Sequence, residues 1–561
     1  MLFLLYWILS YAFLLTKSQS IEVKVREGIV IGTREITVFD EKFYFAFYGV
    51  PYARIPVGRL RFKDPKPLKK WSKPFDARTV YRGACSQPHI VHKHAVYGFE
   101  DCLNLNIYTP FIPDNRSQLK SVIVWIHGYG FTSSFSHIHG GDFLIEHDVV
   151  FISVTYRIGV FGFLKTSDSG NANLGLKDIV MALKWIRRNV RKFGGDKDRI
   201  TLMASGSAAT FASLLMISKH KNLFSKVILQ SGSLFSPSIF QGNPNLERDR
   251  LIRNIRCTNI DGIVKSTTKD IVLNSQNIYS KNEIVNFQRP VVQFTPIIEN
   301  ISNNSIITES VYNTYMGTKK IYINIPIMIG FNTQESISEM LPFIHNTRYL
   351  VEFNNSFKYM IPFIDGCRFN SSVSVYRDVA GIIKARYFKD GITEQSLNNL
   401  LRYASDLRIY AVYKFINKLL SINRNIYVYK FNYIGNFNAF RSNSLAGVNV
   451  DVKGVAEGDE ICYILKCEPL WESYVKLKNN TIDRDRMFIK DITETWANFA
   501  KFGEPKQPWS PMNATEDNLY VFGSENKLTN SKVERDMYKF WNDIYNKYYA
   551  KLHCTNVHDE L

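Results

Sequence analysis

Short apolar runs that end near a glycine or small residue constrain this chain more than any other feature. Val122-Ile123-Val124-Trp125-Ile126, the segment 149–156, Ile200-Thr201-Leu202-Met203, Val227-Ile228-Leu229 and Ile325-Pro326-Ile327-Met328-Ile329 are each too short for a helix. They read as strands buried on both faces. Between them, residues 175–191 repeat at helical spacing, with Leu176, Ile179, Leu183 and Ile186 on one face. Strands alternating with helices predict a largely parallel sheet flanked by helices. Residues 21–48 instead alternate apolar and polar, which predicts antiparallel hairpin strands at the N-terminus. The chain has 561 residues, yet it shows no repeat and no linker, so a single domain over 21–557 is expected.

The two ends read as addresses. Residues 2–15 are almost wholly apolar and Ser18-Gln19-Ser20 supplies small residues before Ile21, so residues 1–20 are expected to be a cleaved signal peptide. No later run is long enough to cross a bilayer, so no transmembrane anchor is expected. The chain closes on His558-Asp559-Glu560-Leu561, residues 558–561, a tail read by the retrieval receptor of the endoplasmic reticulum. A lumenal protein is therefore expected. Glycosylation sequons at Asn115, Asn300, Asn303, Asn354, Asn370, Asn479 and Asn513 agree with that compartment. The formal net charge is +19, but the basic residues are scattered and no basic run interleaves with aromatics, so nucleic acid is not an expected partner.

The most informative local pattern is Phe193-Gly194-Gly195-Asp196, then Ile200 to Met203, then Ala204-Ser205-Gly206-Ser207-Ala208. It resembles the strand–turn–helix of type-B carboxylesterases and cholinesterases, F-G-G-D followed by a strand and G-E-S-A-G. Other stretches extend the resemblance over about residues 45–510. They include Gly49-Val50-Pro51-Tyr52-Ala53, Arg59-Leu60-Arg61-Phe62, Glu100-Asp101-Cys102-Leu103-Asn104-Leu105-Asn106, Tyr156-Arg157-Ile158-Gly159, Gly175-Leu176-Lys177-Asp178 and Trp496 to Gly503. The form most resembles arthropod carboxylesterases. The resemblance implies an α/β-hydrolase fold. It also implies a disulfide between Cys85 and Cys102, and no cofactor or metal. The other cysteines are Cys257, Cys367, Cys462, Cys467 and Cys554. Their pairing stays open, and the odd total leaves at least one thiol unpaired within the chain. Cys462 and Cys467 are five apart, off a common helical face, and read as simply buried.

In register with the family, the nucleophile falls on Gly206, the acid on Glu335 in Gly330-Phe331-Asn332-Thr333-Gln334-Glu335-Ser336, and the base on Glu457 in Gly454-Val455-Ala456-Glu457-Gly458-Asp459-Glu460. No histidine occurs between His345 and His553. His127-Gly128-Tyr129-Gly130-Phe131 resembles the family's oxyanion loop, H-G-G-G-F, with Tyr129 replacing a glycine, and the resemblance places Gly128, Tyr129, Gly130 and Ser207 around the oxyanion. A tyrosine needing positive φ there would be strained; otherwise the loop has moved. Gly206 relaxes the turn and removes the reactive oxygen. Ser207 is the one candidate substitute nucleophile, one residue late and turned away from the base.

The expected function is a non-hydrolytic member of the family, a binding or regulatory pseudoenzyme. It would hold an apolar ligand or ester in the former gorge or engage a protein partner. The alternatives are ester hydrolysis through Ser207 and carboxylate-pair chemistry by Glu335 and Glu457. Two carboxylates that close should raise one another's pKa, and Glu457→Gln would then stabilise the protein; an Arg, Lys or cation between them would keep both charged.

Overall fold

The computed structural model describes residues 20–80, 83–89, 92, 94–167, 172–236, 243–276, 278–280, 292–309, 323–355, 374–513 and 515–548. Residues 1–19 of the expected signal peptide, Cys367, Asn370, Cys554 and the last four residues lie outside these.

Among the described residues the core is a 13-stranded sheet: twelve strands in one path, with the two-residue strand Phe75–Asp76 paired parallel to Ile29–Ile36. Its N-terminal strands are β1 (Ile21–Lys24), β2 (Ile29–Ile36), β3 (Phe43–Pro51) and β4 (Asn104–Thr109), paired antiparallel in that order. The central strands are β5 (Lys120–Gly128), β6 (Val150–Val154), β7 (Gly195–Gly206), β8 (Lys226–Gln230), β9 (Ile327–Asn332), β10 (Ile426–Phe431) and β11 (Asn518–Phe522), and β12 (Lys527–Asn530) closes the edge. The spatial order runs β4-β6-β5-β7-β8-β9-β10-β11-β12, parallel from β6 to β11.

Both faces of the sheet are buried, which is why its strands read as continuous apolar runs. Along β5, Val122, Val124 and Ile126 join one core, while Ile123 and Trp125 join the other. On the first side lie α1 (Leu174–Asn189), α2 (Ser207–Ile217) and α3 (Leu397–Leu420); on the second lies α4 (Arg484–Phe502) with Trp496 fully buried. The predicted face of α1 is the buried one: Leu176, Ile179, Leu183 and Ile186 are all in the core.

Four of the resembling motifs meet in two ion pairs. Arg61 holds Glu100 through Nε (2.8 Å) and Nη2 (2.6 Å). Arg157 holds Asp178 through Nε (2.8 Å) and Nη2 (2.7 Å).

Cys85 and Cys102 form the expected disulfide. The reading of Cys462 and Cys467 needs correction: they are bonded to each other. The short helix Ile461–Ile464 ends before Cys467, which is extended, so helical-face geometry does not apply across the pair. Among the described residues Cys257 is a free thiol. No helix among them is long and apolar enough to cross a membrane. Asn115, Asn300, Asn303 and Asn479 are exposed. Asn354 is half-buried and accepts from Lys384 Nζ at 2.9 Å, and the Asn513 amide donates to Glu516 Oε2 at 2.9 Å.

Candidate functional site

The parallel strands end together, and the sequence-derived residues gather at that end. β7 runs directly into α2, and the residue at the junction is Gly206, with φ 59° and ψ −130°. That backbone is strained for any residue with a Cβ and free for glycine. Gly206 pairs in register with Gly128 at the end of β5. The sharp elbow geometry is therefore kept, without its strain.

Glu335 follows β9. Its Oε1 accepts the Asn332 N–H (2.6 Å) and the Ser231 hydroxyl (2.8 Å), whereas Oε2 is buried without a hydrogen-bond partner. Glu457 sits on the loop before Ile461–Ile464. Asp459 fixes that loop by accepting N–H groups from Ala456 (2.8 Å), Phe440 and Arg441 (3.0 Å each). Glu457 is buried rather than turned to solvent. A Cβ on Gly206 would stand 2.8 Å from Glu457 Oε1. The carboxylate thus faces the spot where a side chain at the elbow would begin.

Sequence reasoning missed Arg408. From α3 it places Nη1 2.6 Å from Glu457 Oε2, 3.4 Å from Glu339 Oε1 and 3.3 Å from the Glu335 carbonyl oxygen. Burial pushes the Glu335 carboxyl above its usual range, and the Glu457 charge adds to this. Burial also raises Glu457, against the opposing pull of Arg408. Burial opposes the charge on Arg408, but Glu339, Glu457 and Glu335 together hold it firmly protonated. A cation does sit at the two acids. It bonds the side chain of Glu457 and only the backbone of Glu335, so the two are not equivalent. Glu460 lies behind them, bonded to Gln230 and Asn332 and pushed by burial up to about 7.

The oxyanion-like loop has folded onto itself. Tyr129 does not carry a positive φ; Gly130 and Phe131 do, at 57° and 61°. The Tyr129 N–H donates to Ser133 O (2.9 Å), and the Phe131 N–H donates to Ser207 Oγ (3.0 Å). Two backbone donors are therefore engaged internally. The Tyr129 phenol is held protonated by burial, with Glu457 and Glu339 reinforcing it. Ser207 Oγ points at the loop: a Cβ on Gly128 would lie 2.6 Å from it. Among the described residues no cluster of three or more His, Cys, Asp or Glu could hold a metal.

The carboxylesterase family matches residues 19–541. Esterase FE4 of Myzus persicae is 30% identical over 528 residues, covering 90% of this chain and 89% of its own. Juvenile hormone esterase of Tribolium castaneum is 28% identical over 509 residues, covering 86% of this chain and 84% of its own. The crystal structure of juvenile hormone esterase from Manduca sexta, with OTFP covalently attached, matches with a TM-score of 0.79 at 24% identity, over 94% of this chain and 100% of that one. With an α/β-hydrolase sheet, the elbow at Gly206 and a family match over nearly its whole length, the chain belongs to the carboxylesterase family.

Proposed function

We propose that this protein is a non-hydrolytic carboxylesterase-family member of the endoplasmic-reticulum lumen, which binds a ligand or partner without cleaving an ester. One observation carries the reading. The elbow position is Gly206, and what faces its missing side chain is the carboxylate of Glu457. Hydrolysis of the family type needs a hydroxyl there and a base to take its proton. A carboxylate bonded to an arginine is a poor base for a serine hydroxyl. The internal bond of Tyr129 supports the same reading, because it occupies an N–H of the oxyanion-like loop. Ser207 is a weak substitute, since its oxygen already accepts from Phe131.

Short-chain nitrophenyl esters should show no turnover above a boiled control, and a fluorophosphonate probe should leave the protein unlabelled. Turnover that vanishes in Ser207→Ala would overturn the proposal in favour of a displaced hydrolase. Gly206→Ser alone should stay inactive, and Gly206→Ser with Glu457→His should recover only a small rate. The location has its own test. Glycans should remain sensitive to endoglycosidase H, and deleting residues 558–561 should send the protein to the medium. Secretion of the full-length chain would contradict the lumenal assignment.

A further inference from the structure

The space beside the elbow has a polarity pattern of its own. Glu457 is only 5% exposed, and its two oxygens differ. Oε2 accepts from Arg408 Nη1 at 2.6 Å. Oε1 receives no hydrogen bond among the described residues, and it stands 2.8 Å from where a Cβ on Gly206 would be. A nearly buried carboxylate thus aims an unpaired acceptor into the space that the elbow glycine leaves. Whatever displaces water from that oxygen has to bring a hydrogen-bond donor, because a desolvated and unpaired carboxylate oxygen is costly.

Donors stand next to that acceptor. Arg408 makes its contacts to Glu457, Glu339 and the Glu335 carbonyl all through Nη1. Its Nε and Nη2 make no hydrogen bond among the described residues. Burial is the largest influence on its charge, yet 28% of its side-chain surface is accessible. A side chain set deep in the fold and still reachable lines a recess, not the outer surface. The Tyr129 phenol is placed in the same way. It is half-buried, burial is again the main influence on it, and Glu457, Glu339 and Arg408 are the charges that act on it.

These groups sort ligands by what they donate and accept. An ester offers acceptors alone. Its carbonyl can meet the guanidinium, but nothing on it donates to Glu457, so the carboxylate would lose water without replacement. An ammonium donates to Glu457, but it sets a second cation against Arg408 and leaves the guanidinium without an acceptor. A secondary amide carries both halves, a carbonyl that accepts and an N–H that donates.

We propose that the recess at the elbow binds a secondary carboxamide, whose N–H donates to Glu457 Oε1 and whose carbonyl accepts from Arg408, and that Glu457 makes the site prefer the amide over the corresponding ester. The proposal rests on the reading above, that this site binds without cleaving.

The test is calorimetric titration of the intact protein at about pH 8.5, where the raised Glu457 carboxyl is ionised. Four probes share one body: N-benzylbutanamide, N-benzyl-N-methylbutanamide, benzyl butyrate and N-benzylbutan-1-amine. The secondary amide should bind at least about tenfold more tightly than the ester, the scale of one hydrogen bond to a charged group. The N-methyl amide keeps the carbonyl and loses the N–H, so it should fall to the level of the ester. The amine should be weaker than the secondary amide by at least about tenfold as well, since it leaves Arg408 without an acceptor. In Glu457→Gln the side-chain amide can turn its NH2 toward an ester oxygen, so the amide-to-ester ratio should drop to about twofold. A melting curve checks that this variant is folded; should it not be, the N-methyl probe asks the same question of the unaltered protein. Binding of the ester or the N-methyl amide within about twofold of the secondary amide, tightest binding of the amine, no binding of the amide, or an unchanged ratio in folded Glu457→Gln would each overturn the proposal alone. Release of benzyl alcohol from the ester, followed separately by chromatography, would overturn the non-hydrolytic reading and this proposal with it.

Discussion

Arg157 and Arg408 both bring a guanidinium against buried carboxyls, but the groups around them are arranged differently. Around Arg157 each guanidinium nitrogen and each Asp178 oxygen has a hydrogen-bond partner. Asp178 Oδ2 accepts Nε and the Arg157 backbone N–H, Oδ1 accepts Nη2, and Nη1 donates to Lys63 O. Around Arg408 one guanidinium is shared by Glu457, Glu339 and the Glu335 backbone, and Glu335 Oε2 is left without a hydrogen bond. Buried polar atoms are rarely orphaned, and those that are mark strain, function or an absent partner. The closed pair joins two scaffold motifs. The open group stands where the family's chemistry is located by resemblance.

The largest test is of the closed pair. Asp178→Ala should cost about 3–5 kcal/mol in urea unfolding, because it strands a buried guanidinium. A loss below about 1 kcal/mol would break the contrast, since such a value belongs to exposed pairs.

Arg408→Met should be smaller and should depend on pH. Without Arg408 the Glu335 and Glu457 carboxyls rise further above their unfolded values, so the native state holds protons that the unfolded chain has released. Stability then falls as pH rises. The loss should approach about 2 kcal/mol near pH 8 and be close to zero near pH 5, at roughly 1.4 kcal/mol per pKa unit. A flat difference across that range would mean that Arg408 acts by packing alone.

The smallest effect has the opposite sign. The native Glu335 carboxyl is raised, so its penalty is absent below the unfolded pKa and grows as pH rises through the native one. Glu335→Gln keeps an acceptor for Asn332 and Ser231 and removes the charge. It should stabilise by about 1 kcal/mol above neutrality and leave acid stability unchanged. Asp178→Asn should instead destabilise throughout. Melting curves from pH 5 to pH 8 would separate the two carboxyls. Glu457→Gln, which looks stabilising from sequence alone, should destabilise, because it removes the shortest ion contact of Arg408.

The scaffold was legible because its signals are local. A strand buried on both faces shows as a run such as Val122 to Ile126, and α1 shows as a period. β10 and β11 escaped notice: Tyr427, Tyr429 and Tyr520 break the aliphatic run although they lie in the core. Gly206, Glu335 and Glu457 were readable from motifs that surround them. Arg408 was not, because it lies on a long helix with no motif and meets Glu457 only through the tertiary fold. The inward turn of the Tyr129 loop was equally hidden, since the choice of Ser133 O as acceptor depends on backbone path, not residue type.

The elbow also constrains what can be substituted around it. A side chain placed at position 206 would enter left-handed backbone, with its Cβ 2.4 Å from Gly128 O and 2.8 Å from Glu457 Oε1. That step alone should destabilise by about 1–3 kcal/mol. Changing Glu457 would relieve only the second of these contacts, and it would release Arg408 from its nearest anion. Each single substitution is thus expected to cost stability on its own, so glycine at 206 and glutamate at 457 hold one another in place.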